Sequence, residues 1–256
     1  MRVTRELPSH AAGEVDVPFV IKGYAEVVAD DTEWNEHSHP WHELLWNERG
    51  ASTVVVGNRV WCITPTLGLW MPAGRLHTAS AVAGTVYRAH FFRHGTRSAL
   101  PDEPVPVDID PLLRLLLERL DEADLPQASR GVTEAMVLDV LRPSARALLV
   151  QLPTSPLLRP VVDAVRRTPA HQGTLASWAA ELGCSARTLT RAFRAETGTG
   201  FARWVATVRA QHAVQLLARG ADAEEVAEEV GYSSASAFGA AFRRTTGITS
   251  GRFRPG

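Results

Sequence analysis

The 256-residue sequence has few of the features that mark secreted or membrane proteins. It contains only two cysteines, Cys62 and Cys184, in different parts of the chain, so a disulfide framework is not expected. It has no apolar run of about eighteen residues, and residues 1–6 lack the apolar core of a signal peptide. We therefore expect a cytoplasmic protein with no membrane partner.

The sequence also lacks a strong net charge, since its formal value is −1 at pH 7. That balance hides an asymmetry along the chain. From Leu157 onward, thirteen arginines stand against eight acidic residues, a net charge of +5. The preceding residues combine fourteen basic with twenty acidic residues, a net charge of −6. A basic C-terminal part is what binding to phosphates requires.

One supersecondary pattern occurs twice, over about residues 174–198 and 222–247. Each copy predicts a short helix, a sharp turn at a glycine, a serine that caps a second helix, and a glycine that ends it. Two apolar residues four positions apart fix the buried face of each second helix. Two copies in register predict two helix-turn-helix motifs. The turn glycines are Gly183 and Gly231, the capping serines Ser185 and Ser233, and the apolar pairs Leu189 with Phe193 and Phe238 with Phe242.

The residues between the two copies, 201–217, carry apolar side chains near helical spacing and predict one long helix. A rigid connector of this kind holds two recognition helices at a fixed separation. Two such helices about 34 Å apart would enter successive major grooves on one face of a DNA duplex.

These motifs resemble the AraC/XylS family of bacterial transcription regulators over about the last hundred residues, the usual size of one domain. The resemblance implies an all-α DNA-binding domain that binds double-stranded DNA near a promoter, with RNA polymerase as a further partner if the protein activates transcription. It rests on Ser185-x-x-x-Leu189-x-Arg191-x-Phe193, Arg209-x-x-x-Ala213-x-x-Leu216-Leu217, Val226-Ala227-x-x-Val230-Gly231-Tyr232 and Phe238-x-x-x-Phe242-Arg243-Arg244-x-x-Gly247.

The resemblance also implies which side chains contact DNA. At the positions this family uses for base contacts, the first motif offers Arg187, Thr190 and Arg191, and arginine pairs bidentately with guanine. The matching positions of the second motif carry short side chains, so its helix is expected to contact phosphates instead. The expected DNA-binding set is Ser185, Arg187, Thr190, Arg191, Arg194, Ser233, Ser234, Ala235, Ser236, Arg243 and Arg244.

The N-terminal part has the pattern of a small β-barrel, and residues 1–33 are expected to form a loose arm that leads into a strand near residues 19–24. Strands are expected at 52–56 and 59–63, joined by the two-residue turn Gly57-Asn58, and again at 85–92. The β pattern then ends at Phe92, and proline-rich residues 101–106 mark a connector.

Two clusters in this part resemble the two cupin motifs: His37-Ser-His39-Pro-Trp-His-Glu43 and Pro72-Ala-Gly74-Arg-Leu-His77. Alternation along a strand points His37 and His39 the same way. With Glu43 and His77 they form a set that suits a divalent transition metal. The chain departs from the motifs at Asp31 and Ala81, which leaves the metal open, and the same histidines suit a polar pocket for an organic effector. The expected effector-binding residues are Trp41, His42, Trp46, Trp61 and Trp70, which could equally pack in the core.

Helices are expected at 111–120, with a proline at the first position, at 133–141, with Thr133 as the cap, and near 159–167. The first carries a broad leucine stripe that either docks on the barrel or forms a homodimer contact. Residues 152–156 are the expected linker between domains.

The sequence therefore predicts an α+β multidomain protein. Residues 1–100 form a cupin-like effector-sensing β-barrel, 101–154 a helical dimerisation and connector region, and 155–256 an all-α DNA-binding domain with two helix-turn-helix motifs joined by a long helix. The predicted function is sequence-specific transcription regulation in response to a small molecule or metal. The alternative is a metal-dependent cupin enzyme whose helical half serves oligomerisation, but it gives no reason for a repeated helix-turn-helix with a basic bias.

Overall fold

The computed structural model describes residues 2–253, which divide into two compact units. The first unit contains the residues up to Val56 and Ile63–Ala147, and the second contains Gly57–Cys62 and the residues from Leu148 onward. The first unit is rich in β-sheet and the second is mostly helical. The predicted order of a sheet-rich part followed by a helical part is confirmed.

Ten strands occur before residue 110: β1 Arg2–Arg5, β2 Ile21–Val27, β3 Asp31–His37, β4 His42–Arg49, β5 Ser52–Val56, β6 Arg59–Ile63, β7 Leu67–Met71, β8 His77–Ala81, β9 Val86–Phe92 and β10 Val105–Asp108. In the first unit, one sheet has the order β1-β3-β8-β5, with β1 parallel to β3 and the other pairs antiparallel. The other sheet has the order β10-β7-β4-β9-β2 and is antiparallel.

Alternation along β4 decides which side chains face between the sheets, because successive residues of a strand point to opposite faces. Glu43 and Leu45 line the cavity between the sheets. Leu44 and Trp46 point the other way and are fully buried in the hydrophobic core. Strand β4 therefore separates the cavity from the hydrophobic core.

The core on that outer face is closed by two helices, α1 Pro111–Leu120 and α2 Gln127–Val140. Asp110 caps α1 by accepting a hydrogen bond from the backbone N–H of Leu113, and Pro111 occupies the first turn. The docked leucines of α1 are Leu113, Leu116, Leu117 and Leu120, all at most 8% exposed. The leucine stripe thus docks on the sheet.

Three local predictions in the first unit are wrong. The N-terminal arm is not loose, since β1 pairs with β3, although the strand predicted near residues 19–24 is present as β2. The β structure does not end at Phe92, because β10 adds an edge strand beside β7. Helix α2 begins at Gln127, and Thr133 lies in its interior, where the hydroxyl donates to the carbonyl of Ser129 instead of capping an end.

The second unit contains strand β11 Leu149–Gln151, which pairs antiparallel with β6, and a set of helices. The helix predicted near 159–167 is confirmed, and the long helix predicted over 201–217 runs one residue further. The helices are α3 Arg159–Arg167, α4 Leu175–Glu181, α5 Ala186–Thr197, α6 Phe201–Ala218, α7 Ala223–Glu229, α8 Ala235–Thr246 and a short 3₁₀ turn Ser250–Phe253.

Helices α5 and α8 begin at serine caps and end at glycines. The Ser185 hydroxyl accepts from the N–H of Thr188, as predicted. In the second copy the cap is Ser234 rather than Ser233, because the turn after α7 is one residue longer. Gly198 and Gly247 end the two helices with positive φ angles of 68° and 78°, a conformation that glycine adopts without strain.

Within residues 2–253, no helix has both the length and the apolar character needed to cross a bilayer.

Candidate DNA-binding surface and effector cavity

A cavity of about 360 Å³ lies between the two sheets of the first unit. Its size is within the range of small-molecule sites. One end is polar and is formed by three histidines and a glutamate from β3, β4, β8 and the loop after β3, while most of the wall is apolar or aromatic. The residues of this end are His37, His39, Glu43 and His77, and the charged or polar residues Arg5, His10 and Glu26 also line the cavity.

The three histidines converge at this polar end. One ring nitrogen from each of His37, His39 and His77 lies within 4.8 Å of the others. The ring centroids of His37 and His77 are 4.3 Å apart, and those of His37 and His39 are 4.9 Å apart. All four residues predicted as a metal-binding set therefore meet in space, since the Glu43 Oε2 atom lies 3.4 Å from His39 Nε2.

Hydrogen bonds to the backbone fix the tautomers of two histidines. His37 Nδ1 lies 2.6 Å from the carbonyl oxygen of Asn35, and His77 Nδ1 lies 2.9 Å from that of Arg75. A carbonyl can only accept, so each Nδ1 carries the proton and donates it. Each Nε2 is left with its lone pair free, which is the arrangement that orients metal-binding histidines in proteins.

Burial disfavours the charged forms of His39, His77 and Glu43. It lowers the pKa of His39 to about 4, with repulsion from His37 acting in the same direction, and lowers the pKa of His77 to about 4. Burial also raises the pKa of Glu43, although His77 and His37 oppose the shift. Among residues 2–253, no hydrogen-bond donor reaches the buried Glu43 Oε2 atom.

These observations fit a divalent metal ion. Three neutral imidazoles and one carboxylate are a donor set that transition metals accept. The orphaned Oε2 of Glu43 and the free Nε2 lone pairs are unsatisfied acceptors in the same buried space, which a cation would satisfy. The residues present therefore suit the group that the cupin motifs imply.

Aromatic side chains form the walls of the cavity. Trp34 and Tyr87 are stacked, with ring centroids 5.6 Å apart, and Trp41 and Phe91 lie 5.3 Å apart. The indole N–H of Trp41 has no hydrogen-bond acceptor within the described part of the chain. Tyr87 donates to Glu43 Oε1 at 3.4 Å, which joins the aromatic wall to the polar cluster.

The structure brings only Trp41 of the five predicted effector residues to this cavity. Trp46 and Trp70 are at most 2% exposed and pack in the core on the opposite side of the sheet. His42 faces away from the cavity, stacks on Trp70 and accepts from the backbone N–H of Ala73. Trp61 belongs to the Gly57–Cys62 segment of the second unit.

The predicted effector and metal residues leave out other residues of the cavity wall, among them Trp34, Tyr87 and Phe91. Two of them carried a usable signal, because Tyr87 and Phe91 are separated by an even number of positions on β9. Trp34 did not, since a β-bulge between Trp34 and His37 changes the alternation of β3 and lets both face the cavity.

The first predicted recognition helix, α5, presents its long side chains to solvent. Leu189 and Phe193 are fully buried, so Arg187, Arg191 and Arg194 are exposed on the remaining surface. None of these arginines forms an ion pair with another residue of the described chain. Thr190 is half-buried and its hydroxyl donates to the carbonyl of Ala186. Ser185 is engaged as the cap.

The second predicted recognition helix, α8, presents short side chains. Ser236 and Ala240 are exposed and Ala235 is half-buried, so this face carries no long side chain. Ser233 and Ser234 are exposed at its N-terminus, where four backbone N–H groups lack partners within the helix. Arg243 and Arg244 are exposed in its last turn, and the described chain gives neither an acidic partner.

Comparison with known proteins agrees with this geometry. Residues 178–255 match a family model described as a helix-turn-helix domain. The chain is 29% identical over 222 residues to the HTH-type transcriptional regulator NimR of Escherichia coli K12, an alignment that covers 85% of this chain and 81% of NimR.

Two further relatives share parts of their length. The chain is 31% identical over 221 residues to the HTH-type transcriptional regulator RipA of Corynebacterium glutamicum, covering 83% of this chain and 62% of RipA. It is 29% identical over 140 residues to a putative AraC-like transcription regulator of Streptomyces antibioticus, covering 50% of this chain and 46% of that protein.

A sheet-rich unit joined to a basic helical unit with exposed, capped helices defines a DNA-binding regulator. The matches to named transcriptional regulators make it a regulator of transcription and not an enzyme. Through its helical unit the chain is similar to helix-turn-helix transcription regulators, among them one described as AraC-like.

Proposed function

We propose that this protein is a sequence-specific regulator whose cupin-like first unit senses a small molecule or metal ion and controls promoter binding. The observation that carries the proposal is the cavity between the two sheets, because it joins a convergent donor cluster to an apolar aromatic wall in one space. Binding sites for small ligands combine such walls with a few oriented polar groups.

His37, His39, Glu43 and His77 would hold the metal ion. A bound divalent ion would supply a positive charge at the polar end of the cavity and a coordination position for an effector. The chain itself orients the site through the carbonyls of Asn35 and Arg75. Trp41 offers a hydrogen-bond donor to the effector, and the stacked aromatic walls exclude water from it.

The DNA would be read by two helix-turn-helix motifs, α4 with α5 and α7 with α8. Helix α5 contacts bases through Arg187, Thr190 and Arg191, and Arg194 contacts the backbone. Helix α8 approaches the phosphates closely, since Ala235 and Ser236 present little bulk. Ser233, Ser234 and the N–H groups of the first turn that the Ser234 cap leaves free bind one phosphate, and Arg243 and Arg244 bind others.

A second copy of the chain is the proposed partner of the first unit. Helix α1 leaves Leu112 and Leu115 at 50% and 63% exposed, and α2 leaves Val132 and Met136 at 63% and 43% exposed. Adjacent apolar side chains of this kind are characteristic of interfaces. The dimer would act on chromosomal DNA in the cytoplasm, and RNA polymerase would be a further partner if the regulator activates.

The functions that we propose for the parts of the chain follow the predicted residue ranges, with one change in where the domain boundary lies. Sensing belongs to residues 1–100, and residues 101–154 connect and dimerise, but α1 and α2 lie in the same compact unit as the sensing sheets. DNA binding belongs to residues 155–256. The segment Gly57–Cys62 belongs to that helical unit by its contacts.

A combined binding experiment tests the proposal. The full-length protein, purified with and without chelator, is analysed for metal content and titrated with DNA from the region upstream of its own gene. We expect about one divalent ion for each chain, and a shift in DNA affinity when the ion or an effector binds. A thermal-shift screen identifies effectors, because a ligand of the folded state raises its apparent stability. No metal, no stabilising ligand and no change in DNA affinity would reject the sensing function.

A further inference from the structure

We infer that Arg209 and Gln172 form a junction that fixes the distance between the two DNA-reading helices. The inference rests on the proposed function, in which α5 and α8 both contact DNA. It assigns these two residues a positioning role for the two-site binding, because neither lies on a predicted base-contacting face.

Arg209 projects from the middle of the connector helix α6 and holds the loop that precedes α4. Its Nε donates to the carbonyl of Pro169 at 2.8 Å, and its Nη2 donates to the carbonyl of His171 at 3.1 Å. Two donors from one rigid, planar guanidinium fix both the position and the direction of that loop. A lysine could not reproduce this geometry.

The loop is in turn fixed to the first helix-turn-helix motif, α4 with α5, which is the first reader of the DNA. The His171 ring stacks on Trp178 of α4, with centroids 5.0 Å apart and an interplanar angle of 24°. Trp178 is only 4% exposed, so this contact is anchored in the core of the first helix pair. Thr174, three residues after His171, caps α4. Any movement of the loop therefore moves the first reader.

The same loop and the same arginine also contact the second helix-turn-helix motif, α7 with α8, which is the second reader. The contacts are made at the turn between its two helices. The Arg209 guanidinium lies 5.4 Å from the ring centroid of Tyr232, a cation–π distance. The Gln172 amide donates to the carbonyls of Ala170 and Gly231, at 2.8 and 3.2 Å. The junction therefore links the two readers by direct contacts, in addition to their connection along the chain through α6.

Gly231 explains how the loop before α4 can lie so close to the turn of the second motif. Its φ angle is +80°, and a Cβ atom placed there would lie 2.7 Å from the Cα atom of Ala170, closer than real Cβ contacts. A glycine in the turn of the second motif therefore does two things: it permits the left-handed turn, and it leaves room for the loop of the first motif. A helix pair that acted alone would need only the first.

The physical consequence is that the readers act as one rigid body with one spacing. When DNA engages both, no free energy is spent on ordering one relative to the other. Without the junction, the two readers would be related only through α6 and their packing against it, and the orientation of the second reader relative to the first would be less tightly fixed. The first reader would bind as before.

The test compares two duplexes chosen from a random pool by the wild-type full-length protein. The long duplex covers both contacted regions, about one helical turn apart, and the short one covers the first region only. We expect Arg209→Met to weaken binding to the long duplex about tenfold, since charge-assisted hydrogen bonds are lost. Its affinity for the short duplex should stay within about twofold of wild type. Hydroxyl-radical footprints should keep the first protected window and lose the second.

Arg203→Met is the matched control, because it removes the same charge from the same helix and Arg203 has no place in the junction. Its ratio of long to short affinity should equal that of wild type. Gln172→Ala provides a milder variant at an exposed position, with an expected loss of about threefold on the long duplex only. It carries the test if thermal melts show that Arg209→Met is unfolded.

Two results would overturn the proposed junction, and a third would reject the two-reader function on which it rests. An unchanged ratio for Arg209→Met, or for Gln172→Ala where the former does not fold, overturns the junction. A parallel loss on both duplexes also overturns it, because it shows a role in overall stability or in phosphate binding. Equal affinity of the wild-type protein for both duplexes rejects the two-reader function itself, a result distinct from failure of the junction.

Discussion

Replacing Arg187 with alanine should remove sequence discrimination at one base of the site without unfolding the protein. Arg187 is exposed on α5 and has no ion-pair partner within the described chain, so its loss breaks no internal contact. Exposed substitutions of this kind usually change the free energy of unfolding by less than about 0.5 kcal/mol. Any large effect on DNA binding must then come from the protein–DNA contact.

The magnitude follows from the chemistry of the side chain. A bidentate pair between arginine and guanine is worth about 1–3 kcal/mol of discrimination against the wrong base. At 1.4 kcal/mol for each factor of ten, that is about 5-fold to 150-fold in affinity. Arg191 lies four positions further on, on the same face of the helix, so the same range applies to an adjacent base.

Arg243→Ala is the matched control, because the same residue type is removed from the end of α8, where we propose a phosphate contact. It should weaken binding to all sequences alike. It should also reduce the slope of log affinity against log salt by about 0.9, the contribution of one neutralised phosphate. Arg187→Ala should change the sequence preference more than the salt slope.

The assay is selection of bound sequences from a random pool, followed by titrations at several salt concentrations. One sharp and one degenerate half-site would agree with the long side chains of α5 and the short ones of α8. Two equally sharp half-sites a helical turn apart would refute the reasoning. So would an Arg187→Ala variant that loses affinity uniformly and keeps the wild-type preference.

Other predictions concern the first unit. His77→Ala should abolish metal binding, measured by metal analysis after dialysis, since one of four donors is lost; retention of a full equivalent would contradict the site. Leu115→Glu should convert a dimer into a monomer in sedimentation at micromolar concentration, and an unchanged dimer would place the interface elsewhere. In the metal-free protein, burial lowers the pKa of His39 and the pKa of His77 from 6.5 to about 4. Between pH 6.5 and pH 4, the unfolded state therefore binds protons at these two residues that the folded state does not bind. The raised pKa of Glu43 acts in the opposite sense, but one carboxyl group cannot cancel two histidines, so the free energy of unfolding should fall from pH 6 to pH 5; urea titrations showing a rise would refute this.

Local chemistry predicted the helices well where a single residue fixes an end. Pro111 and the glycines at the ends of α5 and α8 mark boundaries that need no tertiary information. Strand β10 was missed because it is short and contains Pro106, which reads as a connector in isolation. Only its position at the edge beside β7 makes it a strand.

The donor cluster was predictable and the cavity walls were not. Motif spacing named His37, His39, Glu43 and His77, and the fold brings all four together. Composition could not tell a tryptophan in a wall from one in the core. Alternation from Glu43 would have excluded Trp46, because an odd separation on β4 puts the two on opposite faces.

The path of the chain has a consequence for engineering hybrid regulators. Because the short segment Gly57–Cys62 is counted with the helical unit, the polypeptide passes from one unit to the other three times and not once. Within the helical unit, Gln211 of α6 donates to the carbonyls of Val60 and Leu148. A chimera joined at a single point near residue 155 would therefore give α6 a foreign or missing strand and leave that amide without its acceptors. A transplantable DNA-binding module of this protein must carry its own copy of the segment.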